Sequence, residues 1–369
     1  MKEFTVLTIN PGSSSTKMGV VKGDKVIVNR EVDHHKEDFA ECKTFADQEP
    51  IRMAMIRKAL EEEGIALSDL DAVAGRGVGL YPCAGGTYKI DELAYEHAKN
   101  DVGGIRHPAS LGIIMSYKLG QELNIPAFFV NPMPTELCDM ARVTGIPGIY
   151  RPAKSHPLNQ KQVAIHHSEL MGKKYEDCNY IILHLGGGTS ITAHEKGKMI
   201  DGNRAGDGQG PISPNRSGDL CVDDVIKCIK KGISPDEAKD YASSKGGLLA
   251  WCGTDDLREV KAMIANGDKK AELVYNTMIY SMGKWTAMMA GALKGKVDAI
   301  LLTGGMARDT ELCDKLAEYI SWIAPIYNYA GSFETEALGF GAIRVLKGDE
   351  EAKTYTGKPV WNGFPWDKE

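Results

Sequence analysis

Short apolar runs separated by turn residues open the chain. Residues 4–10 (FTVLTIN) form a run rich in β-branched and aromatic side chains that ends at Pro11 and Gly12, and shorter runs follow at 17–21 and 25–28. Runs of this length with glycine, proline and serine between them are typical of strands joined by tight turns. The pattern therefore predicts an antiparallel meander at the start of the chain.

A second stretch of the chain repeats this pattern. Residues 180–185 (YIILHL) lead into three glycines and into further apolar runs at 191–194 and 199–200. The two stretches align at one constant offset, with Gly12 on Gly186. Such a long-range repeat of a strand-turn-strand unit indicates a duplicated domain, because solenoid repeats are only about 20 to 50 residues long. Chance similarity between two glycine-rich hairpins is the alternative.

Helical and buried-strand patterns fill the rest of the chain. Apolar residues at helical spacing predict helices at 51–63, 110–123, 220–231, 235–243, 269–293 and 336–347. Buried strands are predicted at 72–74, 127–130 and 299–303. Because each half opens with antiparallel hairpins, a mixed α/β sheet flanked by helices fits better than a doubly wound parallel sheet.

The length of the chain favours two domains. A chain of 369 residues is well above the roughly 150 residues of one typical domain. Prolines and a glycine cluster just before and within residues 151–158, which marks the expected boundary. We expect domains at 1–155 and 156–335, with the segment 336–369 returning to the first domain.

Composition excludes several classes of function. Lys and Arg number 44 and Asp and Glu 50, a net charge of −6, so the basic surface of a nucleic-acid or anionic-membrane binder is missing and small molecules are the expected partners. No apolar run reaches the roughly 18 residues of a membrane span and residues 1–10 lack a signal-peptide core, so we expect a cytoplasmic protein. The eight cysteines form no CxxC pair and are expected to be reduced thiols.

The serine-rich turn has the composition of an anion-binding loop. Successive backbone N–H groups in a tight turn can surround a phosphate, and small side chains let it approach. The residues expected to bind phosphate are Asn10, Gly12, Ser13, Ser14, Ser15 and Lys17. Neither a Walker A sequence nor a GxGxxG between strand and helix is present, so nucleotide binding needs another fold. For the turn alone, a solvated loop is the competing interpretation.

Several motifs together resemble the acetate and butyrate kinase family. The resemblance lies in NPGSSSTK at 10–17, HLGGG at 184–188 and NRSGD at 215–219. Further motifs resemble the butyrate kinase branch more than the acetate kinase branch, namely GRG at 75–77, GGTY at 85–88, HPASLG at 107–112, LNQK at 158–161 and GAIRVL at 341–346. The similarity extends nearly from end to end, and the combination is specific although each motif is weak.

The resemblance implies a fold and a reaction. The fold would be two duplicated ribonuclease-H-like domains of the actin, Hsp70 and sugar-kinase superfamily, each a mixed five-stranded sheet flanked by helices, with ATP in a cleft between them. The reaction would transfer the γ-phosphoryl group of ATP to butyrate or a similar carboxylate, with Mg²⁺ assisting. An acceptor carboxylate is already ionised at neutral pH and needs no general base. Cations and backbone donors are therefore the expected machinery.

By the same resemblance, four basic side chains take part in catalysis. Arg76 and Arg216 would hold the carboxylate and the moving phosphoryl group, since arginine makes bidentate contacts with oxyanions. His156 would donate a hydrogen bond to the phosphoryl group, and His107 would support the same site. For His107, capping or packing of a helix start is an equally good explanation.

The resemblance also implies nucleotide and metal positions. The ATP phosphates would be bound by His184, Gly186, Gly187 and Gly188, and the adenosine by Gly304, Gly305 and Met306. Asn10 and Glu336 would lie around Mg²⁺, and Glu334 competes with Glu336 for that role. A glycine pair after a buried strand is also an ordinary turn, so the adenosine side rests on the resemblance alone.

Two positions depart from the family pattern. Asn131 stands where relatives carry an aspartate that orients a metal-bound water or the phosphoryl group, and the missing charge predicts a raised Mg²⁺ requirement. Ser155 precedes His156 where relatives carry an aromatic residue. If that side chain lines the acyl pocket, its loss predicts a preference for four- or five-carbon acids over acetate.

Other functions are compatible with the same features. A branched-chain, propionate or acetate kinase differs only in its substrate profile, whereas a non-catalytic actin-like nucleotide switch would bind ATP without an acceptor. An inactive metabolite sensor is the third possibility. The two arginines argue against a switch, which has no acceptor to bind. The family resemblance also implies a homodimer or higher homo-oligomer.

Overall fold

The computed structural model describes residues 2–133 and 135–368. Its strands are β1 (Thr5–Pro11), β2 (Ser15–Lys22), β3 (Lys25–Asp33), β4 (Ala72–Arg76), β5 (Thr87–Lys89), β6 (Ala127–Val130), β7 (Asn179–His184), β8 (Ser190–Glu195), β9 (Lys198–Gly202), β10 (Ala299–Gly304), β11 (Ile326–Ala330) and β12 (Lys353–Thr354). Its α-helices are α1 (Glu49–Glu62), α2 (Glu92–Lys99), α3 (Leu111–Leu123), α4 (Asp139–Arg142), α5 (Pro157–Leu170), α6 (Val222–Lys230), α7 (Pro235–Ser243), α8 (Gly247–Cys252), α9 (Leu257–Ala265), α10 (Lys269–Ala292), α11 (Thr310–Ile320) and α12 (Glu334–Lys347).

The chain forms two compact units. They comprise Met1–Glu136 with Phe333–Glu369, and Leu137–Ser332. The first division lies before the expected boundary at residue 155, because Leu137, Ala141 and Ala153 pack against Met199 in a small apolar cluster of the second unit. The second division lies close to the expected one at residue 335.

The first unit is built on a seven-stranded sheet in the order β12-β5-β6-β4-β1-β2-β3. β1 pairs antiparallel with β2 and parallel with β4, and β4 pairs parallel with β6. The carboxyl ends of β1, β4 and β6 therefore meet at one edge of the sheet, which brings Asn10, Arg76 and Asn131 to the same side. Compared with the five strands expected, β5 and β12 add two short strands beyond β6.

The second unit repeats this arrangement in a five-stranded sheet with the order β11-β10-β7-β8-β9. β7 pairs antiparallel with β8 and parallel with β10, which pairs parallel with β11. Even the irregularity in the meander recurs, between Val20 and Val21 in the first unit and between Ala193 and His194 in the second. The duplication expected from the glycine hairpins is thus present in the topology of both sheets.

Helices cover the apolar faces of the sheets. In the first unit α3 packs on β4 and β6, and α12 packs on β1 and β2; in the second unit α10 packs on β8. Sequence patterns missed α5, because its first turns bury polar side chains and its apolar residues follow no helical stripe. Gln160 instead donates hydrogen bonds to the carbonyls of Ile182 and Ser190, which anchors α5 on β7 and β8. Within residues 2–133 and 135–368, no helix combines the length and apolarity that crossing a bilayer requires.

Candidate active site

In the first unit, the turn at residues 12–15 joins β1 to β2 as a tight hairpin. The Gly12 N–H donates to the Ser15 carbonyl over 2.7 Å, and Ser13 and Ser14 at the tip are exposed. The turn therefore presents backbone and hydroxyl groups to solvent, as an anion site requires. Ser15 is buried, and its hydroxyl donates to Glu31 over 2.5 Å.

Asn10, Arg76 and Glu334 form one polar cluster at the strand ends beside this turn. Arg76 Nη1 donates to Asn10 Oδ1 over 3.2 Å and lies 3.3 Å from Glu334 Oε1. The Asn10 amide in turn donates to Glu334 Oε2 over 2.6 Å. Lys17 faces Asn10 across the β1–β2 ladder and is exposed. The structure thus brings together two of the expected ligand-binding residues, Asn10 and Arg76, and adds Glu334.

Glu334 and Glu336 have different surroundings. Glu334 is the first residue of α12 and touches Asn10 and Arg76, whereas Glu336 lies further along the helix with its Oε2 buried and without a hydrogen-bond partner. Burial raises the pKa of the Glu336 carboxyl. Of the two acids, the structure brings Glu334 next to Asn10, while the sequence favoured Glu336.

His107 caps the short helical turn before α3. Its Nδ1 accepts from the Ala109 N–H over 3.1 Å, so the proton of the neutral ring lies on Nε2. Burial, and after it the charge of Arg76, lowers the pKa of His107. His107 is therefore a neutral Nε2–H donor close to Arg76, and the cap and a ligand-binding role are compatible.

Asn131 follows β6 in a left-handed conformation with φ 42°. Its Oδ1 accepts from the Gly86 N–H over 2.9 Å, and its own N–H donates to the Gly86 carbonyl over 2.9 Å. Asparagine tolerates this backbone conformation better than most residues. The side-chain carbonyl is thus committed to the Gly86 loop.

In the second unit, the equivalent glycine loop lies against Arg216. A Cβ placed on Gly187 would lie 3.2 Å from the Asn215 side chain, and one on Gly188 would lie 3.6 Å from the guanidinium group of Arg216. Arg216 Nη1 donates to Asn215 Oδ1 over 2.5 Å. Burial lowers the pKa of Arg216, yet this half-buried cation forms no ion pair among the residues that the structure describes.

His156 and His184 stack at the other side of this loop. Their ring centroids are 4.2 Å apart, and His156 Nδ1 lies 2.7 Å from the Ser190 hydroxyl. Asn159 donates to His184 Nδ1 over 2.9 Å and to the Thr303 hydroxyl over 3.1 Å. Asn159 therefore fixes the ring of His184 and places its proton on Nε2, the nitrogen next to Gly186.

Gly304 and its neighbours form a second loop beside the first. Gly304 has φ 93°, and a Cβ on it would lie 2.3 Å from the Leu185 carbonyl oxygen, so only glycine fits. The Met306 N–H donates to Leu185 O over 3.1 Å. Gly305 is exposed and Met306 partly buried. The glycines expected on the phosphate side and on the adenosine side are therefore adjacent within one unit.

The donor set of the first unit fits Mg²⁺. The amide oxygen of Asn10 and the carboxylate of Glu334 are hard oxygen ligands, and Mg²⁺ is commonly held by one or two carboxylates together with water and substrate phosphates. The described residues contain no group of three or more His, Cys, Asp or Glu that could hold a metal ion by themselves. A site completed by a nucleotide phosphate is therefore the type that these residues suit.

Sequence patterns missed Arg52, which lies directly beneath the 12–15 turn. Its guanidinium group donates to the carbonyls of Gly12 and Ser15 over 3.0 and 3.2 Å. Position 52 shares the buried face of α1 with Ile56 and Leu60, at i, i+4 and i+8 spacing. An arginine on an apolar face was the signal available in the sequence.

Comparison with solved structures supports the fold. An acetate kinase from Porphyromonas gingivalis matches with a TM-score of 0.77 and 18% identity, covering 93% of this chain and 100% of that one. A propionate kinase from Francisella tularensis subsp. tularensis SCHU S4 matches with a TM-score of 0.71 and 20% identity, covering 92% and 98%. At these identities the similarity concerns the fold, and it confirms the expected α/β class with duplicated domains.

Comparison of sequences identifies the family. Residues 148–320 match the acetokinase family model. The chain is 42% identical over 354 residues to a probable butyrate kinase of Clostridium botulinum strain Eklund 17B, covering 95% of this chain and 99% of the relative. It is 38% identical over 354 residues, with the same coverage, to butyrate kinase 1 of Clostridium acetobutylicum. The resemblance inferred from the motifs is confirmed, and the chain belongs to the acetokinase family.

Proposed function

We propose that the chain is a short-chain fatty-acid kinase that transfers the γ-phosphoryl group of ATP to butyrate or a similar carboxylate, giving ADP and an acyl phosphate. The observation that carries the proposal is a pair of half-buried arginines, Arg76 at the end of β4 and Arg216 against the glycine loop. Two guanidinium groups suit two oxyanions, an acceptor carboxylate and a phosphoryl group. Family membership supports both the kinase activity and the use of ATP and ADP.

The first unit offers the acceptor a cation and a neutral donor. Arg76 would orient the carboxylate of the substrate, and the Nε2–H of His107 would donate a hydrogen bond to one of its oxygens. Both contacts favour the ionised carboxylate, which is already the nucleophile at neutral pH. Holding it in line with the phosphoryl group lowers the barrier by orientation and not by proton transfer.

The second unit offers donors for the charge of the moving phosphoryl group. Arg216 would contact its equatorial oxygens, because the loose transition state of phosphoryl transfer is strongly anionic. His156 would donate a hydrogen bond to the same group. Gly186, Gly187 and Gly188 would surround the remaining ATP phosphates, and Gly304, Gly305 and Met306 would lie along the adenosine.

Mg²⁺ is the metal that we assign to Asn10 and Glu334. When bound, it would neutralise charge on the phosphates of ATP. The ion pair between Arg76 and Glu334 keeps the two side chains in place, with 3.3 Å between Nη1 and Oε1. Glu336 is a weaker choice, because burial raises the pKa of its carboxyl and disfavours the charged form.

The preferred acid is proposed to have four or five carbons. Ser155 is buried beside His156, and its hydroxyl lies 3.2 Å from the sulfur of Met199. A serine with a flexible methionine behind it gives more room than an aromatic ring would, if this wall borders the acyl chain. Each methylene changes discrimination by about 1 to 3 kcal/mol.

A hydroxamate assay tests the reaction and the preferred acid together. The full chain is incubated with ATP, Mg²⁺ and acetate, propionate, butyrate or isovalerate, and hydroxylamine traps the acyl phosphate. We expect product with all four acids and the highest kcat/KM for butyrate or isovalerate. Absence of product with every acid would refute the kinase, while a best value for acetate would refute only the chain-length proposal.

We also propose that the enzyme works in the cytoplasm, where ATP is available, as a homodimer or larger homo-oligomer. The segment 140–149 exposes four apolar side chains, Met140, Val143, Ile146 and Ile149, by 81, 52, 61 and 54%. A cluster of this kind marks an interaction surface, and we propose that a second copy covers it. Light scattering compares the molecular mass in solution of the full chain with that of Ile146→Glu, which we expect to be lower.

A further inference from the structure

A buried arginine without an acidic partner lies beneath the phosphate-binding turn of the first unit. Arg52 on α1 is 1% exposed, and it forms no ion pair within the described parts of the chain. Glu49, one turn earlier on α1, pairs with Lys118 instead. Such a group is costly to bury, so its contacts should explain why it is there.

The guanidinium group of Arg52 holds the turn from below. Its Nη1 donates to the carbonyls of Gly12 and Ser15 and, over 2.9 Å, to the hydroxyl of Thr16. Its Nε and Nη2 donate to Gln48 Oε1 over 3.1 and 2.9 Å. These acceptors are all neutral, so the positive charge of Arg52 is hydrogen-bonded but not neutralised.

The other groups around Arg52 do not neutralise its positive charge. Thr16 Oγ1 lies 2.7 Å from His34 Nε2, and the ring of Phe39 lies 4.9 Å from the guanidinium carbon. Burial lowers the pKa of Arg52 to about 10, which still keeps it charged at neutral pH. Burial and the charge of Arg52 lower the pKa of His34 to about 4, so His34 adds no second charge. Glu31, on β3, accepts from Ser15 Oγ and not from Arg52.

In the second unit, neutral side chains cap the carbonyls of the corresponding turn. Thr189 corresponds to Ser15 in the repeat, and its carbonyl accepts from the side-chain amide of Asn203 over 2.9 Å. The carbonyl of Gly187 accepts from the hydroxyl of Ser213 over 2.7 Å. A tight turn thus needs its inward carbonyls capped, but a neutral cap is sufficient. The structure of the hairpin therefore does not require the positive charge of Arg52.

We propose that Arg52 is a positioning residue for the 12–15 turn. It draws the carbonyls of the turn away from the anion site. It also adds an uncompensated positive charge behind that site, which favours binding of the most anionic part of the nucleotide. The inference rests on the proposed function, in which Arg76 contacts the acceptor carboxylate and Asn10 contributes to the Mg²⁺ site beside this turn. With the carbonyls of Gly12 and Ser15 held below, the exposed tip at Ser13 and Ser14 is the part of the turn left to face an anion. A buried charge is poorly screened and acts over several ångströms.

Nucleotide binding without the acid substrate tests this inference. Dissociation constants for MgATP and MgADP are measured by calorimetry on the full chain, as wild type, Arg52→Gln, Arg52→Lys and Arg52→Met. Lys58→Gln removes the same charge from the exposed face of α1 and is the matched control, since Lys58 is 78% exposed. The ATP-to-ADP affinity ratio does not depend on the folded fraction of a sample, so partial misfolding of one variant leaves it interpretable.

We expect Arg52→Gln and Arg52→Met to lower the ATP-to-ADP affinity ratio by about tenfold. Arg52→Lys should keep the ratio within about twofold of wild type because it retains the charge, and Lys58→Gln should leave it unchanged. An unaltered ratio in both neutral variants would overturn the inference, as would an equal loss in Lys58→Gln. Failure of the proposed function is distinguishable, because it would appear as absence of acyl phosphate from the wild type.

Discussion

The two glycine hairpins of this protein share a backbone and differ in what lies behind them. β1–β2 and β7–β8 have the same pairing and a bulge at nearly the same place. The first turn is capped from below by a buried guanidinium group, the second by the neutral side chains of Asn203 and Ser213. Duplication thus preserved the geometry of the hairpin, whereas the electrostatics of the two copies diverged.

Arg76 and Arg216, the two arginines to which we propose catalytic roles, differ in the opposite sense. In the first unit Arg76 is paired with Glu334, and in the second Arg216 bonds only to neutral oxygens among the described residues. Within the described residues, the first unit thus combines a paired Arg76 with an unpaired Arg52, whereas the second unit combines a neutral cap with an unpaired Arg216. This contrast agrees with our proposal that the first unit contacts the metal and the acceptor and that Arg216 of the second unit meets the phosphoryl charge.

The largest effect should come from Arg216. Replacement by methionine keeps the length of the side chain and removes the charge that would meet the anionic transition state, so kcat should fall by about a thousandfold. KM for ATP should change much less. Steady-state hydroxamate kinetics measure both, with Arg258→Met as a control because Arg258 is 91% exposed. A loss confined to KM would show that Arg216 binds only the ground state.

The next largest effect should distinguish the roles of the two acids at the start of α12, Glu334 and Glu336. Glu334→Gln should raise the Mg²⁺ concentration for half-maximal activity by about tenfold, since it removes the charged oxygen that we propose as a metal ligand beside Asn10. Glu336→Gln should leave that concentration unchanged, because its buried Oε2 forms no hydrogen bond with Asn10 or with any other described residue. Mg²⁺ titrations of the two variants are compared directly. If Glu336→Gln raised the Mg²⁺ requirement and Glu334→Gln did not, Glu336 would be the metal ligand.

A smaller effect is expected from Asn131→Asp. Aspartate can still accept from the Gly86 N–H and adopt the left-handed backbone, while its charge attracts the metal. The Mg²⁺ requirement should therefore fall by about threefold. An unchanged titration would mean that this position serves the Gly86 loop alone.

The last prediction concerns stability around the charged cap and not activity. The pKa of His34 is about 4, below its usual 6.5, with burial and then Arg52 as the causes. The unfolded chain therefore binds the proton more readily, and the free energy of unfolding should fall by up to about 1.4 kcal/mol per pH unit between pH 6.5 and 4.

Denaturation at several pH values checks this expectation. His34→Gln should show a shallower pH dependence than wild type in that range, whereas His35→Gln, at an exposed neighbouring position, should follow wild type. Parallel curves for wild type and His34→Gln would show that folding does not lower the pKa of His34.

Elements with a clear pattern were predictable. β6 and α7 have the bounds that the sequence indicated, and the glycine repeat revealed the duplication. α5 was not predictable, because its buried side chains are amides that bond to strand carbonyls and leave no apolar stripe. The short strands β5 and β12 were missed because they are edge additions of only a few residues.

The sequence by itself determined the family, the fold class and the two hairpins, because glycine and serine at tight turns and apolar runs in strands act locally. Only the tertiary structure decided that Glu334, and not Glu336, touches Asn10 and Arg76, since a helix start and two strand ends meet through sheet packing. The placement of Arg52 under the turn likewise depends on how α1 packs. Contacts between residues far apart in the chain depend on how distant elements pack, and one sequence taken alone carries no local pattern that records them.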